Sequence, residues 1–489
     1  MTSTAPTPGH AGPAGTTDEC RHERGHITDS RFHGGRYATT VSRRIFCDVC
    51  RVQRWLDVEA ALALAEAEVG LIPGEAAEEI ASAARLQRVR LDGFEEGIKR
   101  TGHSLVALLH ELQSACEGDA GEYVHRGATT QDIQDTAQTL EMGDVLDEVD
   151  AALVRVLRRL VSLARANRDT LMVGRTHAQP ALPTTFGLKV AGWVDELLRH
   201  AERLEAMRPR VLVAQLFGGV GTMAGFEGRG PELLRRFAGR LRLHAPDTGW
   251  HVARDRVAEY LATMAMIPAT GARIADEVRT LARPEFGELT EIWEPGSIGS
   301  STMPHKRNAL SEACEQAVVL ARLARTLAPL GLESMIGEHE RDSRGLRLEW
   351  VAVADVSHYT LASLAALDQI LGAFTVDRES MADHAATVAE AICSEALMLA
   401  LSRRMGKQTA HAVVYEVSQQ AQQEGASLRD LLGARPDIAG HLGPDELDAV
   451  FDPARHLGCS AAMVDAVVAK AERRLDLPGA GVGVAVGSP

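Results

Sequence analysis

Apolar residues recur every three or four positions over long stretches of the chain. After Leu146 this spacing continues at Val149, Leu153, Val156, Leu157, Leu160 and Leu163. It places one apolar stripe along a long α-helix, and similar stretches cover residues 51–69, 186–207, 257–281, 311–330 and 350–374. Sustained alternation with a period of two, which would predict strands, is almost absent. The pattern predicts an all-α fold.

Two breaks in this periodicity divide the chain. They fall near residues 121–127 and 376–383, and helical periodicity resumes at Ala385. Long helices with charged outer faces usually pack side by side as a bundle. We therefore predict three helical parts: an N-terminal helical domain, a central long-helix bundle that carries the candidate catalytic segments, and a C-terminal helical domain, over residues 26–126, 127–380 and 381–478. The ends, 1–25 and 479–489, are rich in small residues and are predicted to be disordered or flexible tails.

Composition narrows the class of protein. The 489 residues carry a formal net charge of −15, which repels phosphate, so neither a nucleic acid nor an acidic membrane is expected as a partner. An anionic substrate would have to be bound by local cations. No stretch approaches about 18 uninterrupted apolar residues and the N-terminus lacks the apolar core of a signal peptide, which indicates a cytoplasmic protein.

The seven cysteines are scattered and form no even disulfide framework, so reduced thiols are expected. Cys47 and Cys50 make a single CxxC motif in a segment with helical periodicity. One such pair is a weak signal for a redox or metal site. We interpret both as ordinary packed thiols.

Four polar segments with glycine or proline breaks lie between the predicted helices, where sites are commonly built. The first, 127–132, offers the hydroxyls of Thr129 and Thr130 and the amide of Gln131, which can cap a helix or bind a carboxylate. The second, 174–180, places His177 in a proline-broken turn, where it is either a structural residue or a general acid.

The third segment, 284–308, is predicted to be a mobile loop of about 20 residues, a length typical of lids. Ser300 and Ser301 follow a glycine there, and Lys306 and Asn308 offer a cation and an amide to an anion. A flexible, solvated loop is the alternative. The fourth segment, 338–347, is dense in charge, and it is either part of the site or a solvated surface.

In this order and on long helices, the four segments resemble the signature regions of the fumarase/aspartase superfamily. The closest resemblance is to the branch of adenylosuccinate lyase and 3-carboxy-cis,cis-muconate cycloisomerase, and it runs from Arg36-Tyr37 to about Leu477. The loop Gly-Ser-Ser-Thr-Met-Pro-His-Lys-Arg-Asn at 299–308 is the most specific match. The resemblance implies a small dicarboxylate substrate, no metal or other cofactor, and a homotetramer whose active sites are each assembled from three chains.

The same resemblance assigns roles to residues. Ser300, with Ser301 as its rival, is the base that removes a proton from the carbon beside a carboxylate, and His177 protonates the leaving group. A free serine is a weak base, so the loop has to close and stabilise the alkoxide. The residues expected to bind the substrate are Lys306, Asn308, Thr129, Thr130, Gln131, Arg36, Tyr37, His103, Arg341 and Arg199, of which Arg36-Tyr37 matches a family binding motif closely.

Three departures from the family pattern bear on the substrate. His177 stands where the bacterial cycloisomerases carry tryptophan, which favours elimination with release of fumarate. The segment after Arg341 runs through Gly345 instead of a serine-rich stretch, which weakens the expected grip on a nucleotide phosphate. Ala309 replaces a usual proline and Glu312 comes one position early, which displaces the glutamate that would orient His177.

A leaving group that departs as a stable anion needs acid assistance least. The sequence therefore favours a carbon–nitrogen lyase acting on a small substituted succinate, with nitrosuccinate, which yields nitrite and fumarate, as the first choice. Adenylosuccinate lyase and then 3-carboxy-cis,cis-muconate cycloisomerase are the alternatives. A noncatalytic structural relative is a further alternative, and the intact Ser300, Lys306, Asn308 and His177 argue against it.

Overall fold

The computed structural model describes residues 25–293, 296 and 299–476. The predicted tails therefore lie outside the described residues, apart from Gly25. Five helices form the N-terminal part: α1 (Thr40–Phe46), α2 (Asp48–Glu68), α3 (Gly74–Ala83), α4 (Leu91–Thr101) and α5 (Ser104–Ala115). The described part also contains short 3-10 helices at Ile27–Asp29, Gly34–Arg36, Ala120–Tyr123, Ala224–Phe226 and Pro453–His456.

The central part consists of long helices, which confirms the predicted fold class. They are α6 (Thr130–Ala166), α7 (Phe186–Val211), α8 (Gly230–Arg240), α9 (Asp255–Leu281), α10 (Ala309–Leu327), α11 (Leu330–Ser334) and α12 (Ser343–Leu371). Each apolar stretch singled out above coincides with one of the described helices. However, α6 begins well before Leu146, because its first turns carry polar residues that are themselves buried.

Shorter helices form the C-terminal part: α13 (Arg378–Thr387), α14 (Ala389–Ile392), α15 (Ser394–Met405), α16 (Lys407–Glu424), α17 (Leu428–Gly433), α18 (Pro436–Ala439), α19 (Pro444–Val450) and α20 (Ser460–Leu475). The break predicted over 376–383 is shorter than expected. Asp377 caps α13 by accepting a hydrogen bond from the backbone N–H of Ser380 at 2.9 Å, so the helix starts before apolar periodicity resumes.

Two small antiparallel sheets interrupt the helices. β1 (Leu171–Thr176) pairs with β2 (Gln179–Thr185), and β3 (Leu289–Glu291) pairs with β4 (Phe374–Val376). The expectation that 284–308 is a loop throughout is therefore wrong at β3. Its partner strand lies more than 80 residues away in the sequence, a long-range pairing that a local pattern does not reveal.

Three apolar cores follow the three parts of the chain. The central core lies between α6, α7, α9, α10 and α12. The N-terminal core also takes Phe217, Phe226 and Phe237 from the segment after α7, which we had predicted to belong to the central bundle. α12 is long and apolar enough to span a membrane by length and composition, but 67% of its most apolar window is buried within the protein, as in a core helix.

The bundle has two ends, and α12 gives the distance between them. Contacts from Gln131 to Arg341 and from Gln138 to Glu349 advance together along α6 and α12, so these two helices run parallel. The start of α10 faces the last turns of α12, at Ala362–Gln369. We name the two ends the Arg341 end and the Ser300 end. At about 1.5 Å per residue, the 29 residues of α12 extend over about 43 Å.

Candidate active site

The loop from Gly299 to Asn308 is closed by its own two ends. The side-chain amide of Asn308 donates a hydrogen bond to the carbonyl oxygen of Gly299 at 2.6 Å. A Cβ on residue 299 would overlap the carbonyl oxygen of Lys306, so this close approach requires glycine. The amide of Asn308, which we predicted to bind an anion, thus holds the loop in shape.

Ser300 lies where negative charge on its oxygen would be stabilised. Its Oγ accepts hydrogen bonds from the backbone N–H groups of Met303 at 3.0 Å and Thr302 at 3.3 Å. Ser301 is exposed, and the contact described for its Oγ is a 3.5 Å approach to the hydroxyl of Thr302. Two fixed backbone donors on an alkoxide are what a serine base requires. The geometry therefore favours Ser300 over its neighbour.

Lys306 is exposed and has no ion-pair partner among the described residues, so its ammonium group remains available to an anion. The next residue, Arg307, stacks its guanidinium over the ring of Trp293 at 5.3 Å. This contact joins the two flanks of the loop. It also leaves Lys306, not Arg307, as the cation that the loop offers to a substrate.

Arg36 lies at the Ser300 end, beside the first turn of α10. Its Nη1 forms a 2.7 Å ion pair with Oε1 of Glu312, and its carbonyl oxygen accepts a hydrogen bond from the amide of Gln316 at 3.0 Å. Tyr37 is half-buried and packs on the central core. Within the chain, Glu312 is thus paired with Arg36.

His177 occupies the tip of the β1–β2 hairpin, which the sequence predicted only as a turn. It forms the two-residue turn with Ala178, and both have left-handed φ angles, of 50° and 62°. Its side chain is exposed, with no hydrogen-bond partner among the described residues. Non-glycine residues pay conformational strain in such turns. A strained, exposed histidine is placed to reach outward from the chain.

This hairpin is fixed to the Ser300 end close to its tip. Arg175 forms an ion pair with the fully buried Glu288 at 2.6 Å and stacks on Phe286. Three residues later Glu291 accepts a hydrogen bond from the backbone N–H of Leu310, at the start of α10, at 2.8 Å. The hairpin and the Ser300 loop therefore share one support.

Three predicted substrate-binding residues meet at the Arg341 end. Nη1 of Arg341 donates a hydrogen bond to the hydroxyl of Thr129 at 2.6 Å, and its Nε donates to the side-chain oxygen of Gln131 at 3.3 Å. Thr130, the first residue of α6, has a half-buried hydroxyl beside them. An arginine over a helix N-terminus, with hydroxyls around it, is a suitable place for a carboxylate.

A buried polar network lies beside the residues of the Arg341 end and holds them in place. Asp132 accepts hydrogen bonds from the backbone N–H groups of Thr129, Phe217 and Gly218 and contacts Nε2 of His251 at 2.9 Å. Arg254, 2% exposed, pairs with both Asp135 and Glu349. The network joins the start of α6 to α9 and α12, so it holds Gln131 and Arg341 in register.

The sequence analysis missed these supporting residues. One signal for them was present: five of the six positions 131–136 are polar, although they open a long helix. In the structure all six side chains except Ile133 are polar and every one is buried. No comparable signal marked Arg254, whose partners lie about a hundred residues away in the sequence.

His103 and Arg199 stand apart from these contacts. His103 caps α5, with Nδ1 accepting a hydrogen bond from the backbone N–H of Val106 at 3.3 Å, and it is exposed. Arg199 lies in the middle of α7 and pairs with Asp195 one turn earlier. The structure therefore brings Arg199 to neither end of the bundle.

The CxxC pair forms an ordinary helix start. Sγ of Cys47 accepts a hydrogen bond from the backbone N–H of Cys50 at 3.3 Å, and burial raises the pKa of the Cys50 thiol to about 11. A protonated thiol is a poor metal ligand and a poor nucleophile. Among the described residues no group of three or more His, Cys, Asp or Glu side chains is arranged to hold a metal ion.

The predicted site residues thus form two groups at opposite ends of the bundle. The Ser300 end holds the loop, Arg36, Tyr37 and the hairpin of His177; the Arg341 end holds Thr129, Thr130, Gln131 and Arg341. Measured along α12, from its start to the turns that face α10, the two groups are separated by roughly 30 Å. A small substrate cannot contact both within one chain.

Comparison with known proteins gives the family. A family described as lyase matches residues 35–319, and the adenylosuccinate lyase C-terminus matches residues 390–467. An N-acetyl-S-(2-succino)cysteine lyase of Dickeya dadantii is 39% identical over 91% of this chain and 98% of its own length. An adenylosuccinate lyase of Methanothermobacter thermautotrophicus is 38% identical over 90% and 98%.

A solved structure agrees with these relatives. The crystal structure of a fumarate lyase from Mesorhizobium sp. BNC1 superimposes with a TM-score of 0.82 at 34% identity, and covers 88% of this chain and 98% of that one. The similarity therefore extends over most of the chain. This chain belongs to the fumarase/aspartase superfamily of lyases.

Proposed function

We propose that this protein eliminates a thiol from a 2-succinylated thiol and releases fumarate, with Ser300 as the base. The observation that carries the proposal is the pair of backbone N–H groups on Ser300 Oγ, at 3.0 and 3.3 Å. They would stabilise the alkoxide form of a side chain that is otherwise a weak base.

The reaction needs one proton acceptor and a site for developing charge. Ser300 takes a proton from the methylene carbon of the succinyl group, and the electron pair moves into the adjacent carboxylate. When this charge returns to form the carbon–carbon double bond, the carbon–sulfur bond breaks and its electrons leave with the sulfur. Fumarate and a thiolate result, and the thiolate takes up one proton. Lys306 and, at the other carboxylate, Arg341 with Thr129 supply the positive charge and donors.

The start of α12 argues against a nucleotide as the leaving group. Asp342 caps this helix with its own carboxylate, and hydrogen bonds from Arg344 hold the pKa of that carboxyl well below its usual range. The helix N-terminus, a ready site for phosphate, therefore already faces an anion. A side chain at Gly345 would overlap the carbonyl oxygen of Ser334, so a serine would not fit there.

A thiolate leaving group is compatible with weak acid assistance from this chain. It leaves as a stable anion, so it makes little demand on His177, whose expected orienting partner Glu312 is bound to Arg36. A relative that is 39% identical bears the name of a lyase for a succinylated cysteine. Nitrosuccinate is the second candidate, because nitrite is likewise a stable anion. It requires the same base and the same weak acid assistance.

We further propose a homotetramer in which each active site draws on several chains. The separation of roughly 30 Å between the two groups of site residues supports this assembly, since neither group is complete alone. The exposed His177, at the tip of its hairpin, would then act in a neighbour's site.

The test is fumarate release, followed by ultraviolet absorbance. Purified protein is given N-acetyl-S-(2-succino)cysteine, nitrosuccinate and adenylosuccinate separately. 3-Carboxy-cis,cis-muconate, which would cyclise to a lactone without releasing fumarate, is followed by the loss of its own ultraviolet absorbance. We expect turnover of N-acetyl-S-(2-succino)cysteine, a loss of about 10³-fold in kcat for Ser300→Ala, and a change of less than about tenfold for Ser301→Ala, which is the matched control. Turnover of adenylosuccinate alone would overturn the proposed substrate class, and equal losses in both variants would overturn the choice of base.

A further inference from the structure

A cavity of about 430 Å³ opens between the N-terminal helices and the bundle. Its walls come from α2, α4, α6 and α12, together with the first residue of α5. The apolar side chains around it are Trp55, Leu91, Phe94, Ile98 and Trp350. Trp350 is 37% exposed at the mouth. An exposed tryptophan beside a cavity of this size is typical of a small-molecule site.

The cavity lies next to the Arg341 end. Ser104 follows His103 directly, and Gln134 lies one helical turn after Gln131 on the same face of α6. Trp350 follows Arg341 on the parallel helix. From Gln134 to Glu141, the cavity extends about 10 Å along α6, at about 1.5 Å per residue, and its nearer end lies one turn, about 5 Å, from Gln131. A molecule with a carboxylate at Arg341 would extend into it.

The polar groups in the cavity select what can enter. Gln138, 3% exposed, donates its amide nitrogen to Glu349 at 3.0 Å, while its Oε1 is buried with no hydrogen-bond partner. Because this oxygen has almost no accessible surface, it offers no acceptor to a ligand in the cavity. Arg51 is already held by Glu141, in a bidentate pair at 2.9 and 3.1 Å.

The rim adds negative charge. Asp48 and Glu95 line the mouth and are exposed, and neither has an ion-pair partner among the described residues. They would repel an anionic group. The walls and the rim together match an uncharged apolar or aromatic body.

We infer that this cavity binds the body of the leaving group, so that the enzyme prefers succinylated thiols whose thiol carries an apolar or aromatic, uncharged group over those, such as N-acetyl-S-(2-succino)cysteine, whose thiol carries a carboxylate. The inference rests on the proposed function, because it requires the succinyl carboxylate at the Arg341 end. The walls then supply binding energy through burial of apolar area. The specificity lies in Trp350 and Phe94, which do not touch the reacting atoms.

The test compares substrates that differ in size and charge. Fumarate release is measured with 2-(benzylsulfanyl)succinate, 2-(methylsulfanyl)succinate and 2-(carboxymethylsulfanyl)succinate. We expect the highest kcat/KM for the benzyl compound. Trp350→Ala and Phe94→Ala should each lower that value by about tenfold through KM, with the methyl compound changed by less than about twofold. Tyr415 is an exposed aromatic residue on α16, so Tyr415→Ala is the control. It should leave kcat/KM unchanged for both the benzyl and the methyl compound.

The outcomes separate this inference from the proposed function. Two outcomes would overturn the role of the cavity without affecting the proposed reaction. One is release of fumarate from all three compounds with no preference for the benzyl compound, and the other is a Trp350→Ala variant that keeps this preference. No fumarate from any succinylated thiol would overturn the reaction. Benzyl methyl sulfide provides a readout without turnover: it should quench the fluorescence of the wild-type protein, and Trp350→Phe should lose part of this response.

Discussion

Glu66 is a carboxylic acid in an apolar setting. It lies on α2, is fully buried, and neither of its carboxyl oxygens has a hydrogen-bond partner among the described residues. Burial raises its pKa to about 8, with Glu59 adding to the shift. Nη1 of the nearby Arg126 is also buried without a partner. The folded protein therefore keeps a proton on Glu66 that the unfolded chain releases at neutral pH.

This difference predicts a pH-dependent stability. Because the pKa is raised in the folded state, the stabilising contribution is complete below the unfolded value of about 4.5 and is lost as the pH rises to about 8. Glu66→Gln removes the titration. We expect it to be close to wild type near pH 5 and to be more stable by roughly 3 to 4 kcal/mol at pH 8, in unfolding monitored by circular dichroism. Glu96→Gln, on the surface of α4, is the control. Parallel stability curves for wild type and Glu66→Gln would contradict the assignment.

Single residues of the site were predictable to different degrees. Ser300, Lys306 and Arg341 were identified because the segments that contain them are specific in sequence. The role of Asn308 was not predicted. Its amide donates to the backbone carbonyl of Gly299, and the position of that carbonyl depends on how the loop folds. Asp135 and Arg254 were missed for the same reason: their pairing is created by tertiary packing.

At the scale of elements, the β1–β2 hairpin stores strain. Its turn places Ala178 at a φ of 62°, where a Cβ is unfavourable by about 1 kcal/mol. We expect Ala178→Gly to raise the midpoint of thermal unfolding, because glycine adopts this conformation freely. Ala426→Gly is the matched control: this exposed loop alanine is not among the residues with positive φ, so its replacement should lower the midpoint or leave it unchanged. A lower midpoint for Ala178→Gly would show that the turn is not strained.

The helices were predictable and the strands were not. Apolar periodicity identified α7 and α9 nearly to their ends, because a buried helix face repeats over many turns. β3 and β4 have three residues each, too few for alternation to be recognised. In β2 two prolines, Pro180 and Pro183, suggested a broken turn, although both are accommodated in a two-stranded hairpin.

At the scale of the whole molecule, the two groups of site residues predict complementation between inactive chains. Ser300→Ala and Arg341→Gln should each be inactive alone. When the two are coexpressed, mixed oligomers contain sites with an intact Ser300 from one chain and an intact Arg341 from another. Random assembly would restore about a quarter of the wild-type specific activity. The measurement is fumarate release by the purified mixture.

The control is a mixture of two variants whose substitutions both lie at the Ser300 end. Ser300 and Lys306 lie on the same loop, so chains with Ser300→Ala and Lys306→Ala cannot complete each other's sites. This mixture should remain inactive. Recovery in the control, or none in the first mixture, would mean that the site is not divided between the ends of the bundle.

The parallel course of α6 and α12 has a consequence for how such a protein can change over generations. The length of these helices sets the distance between the Ser300 end and the Arg341 end of each chain. Neighbouring chains must match this distance to bring the two groups of site residues together. Adding or removing one turn would shift one end by about 5 Å and rotate it, even if every catalytic side chain were kept. Length variation should therefore accumulate in the connections around the bundle, while α6 and α12 keep a fixed number of residues across descendants that retain the reaction.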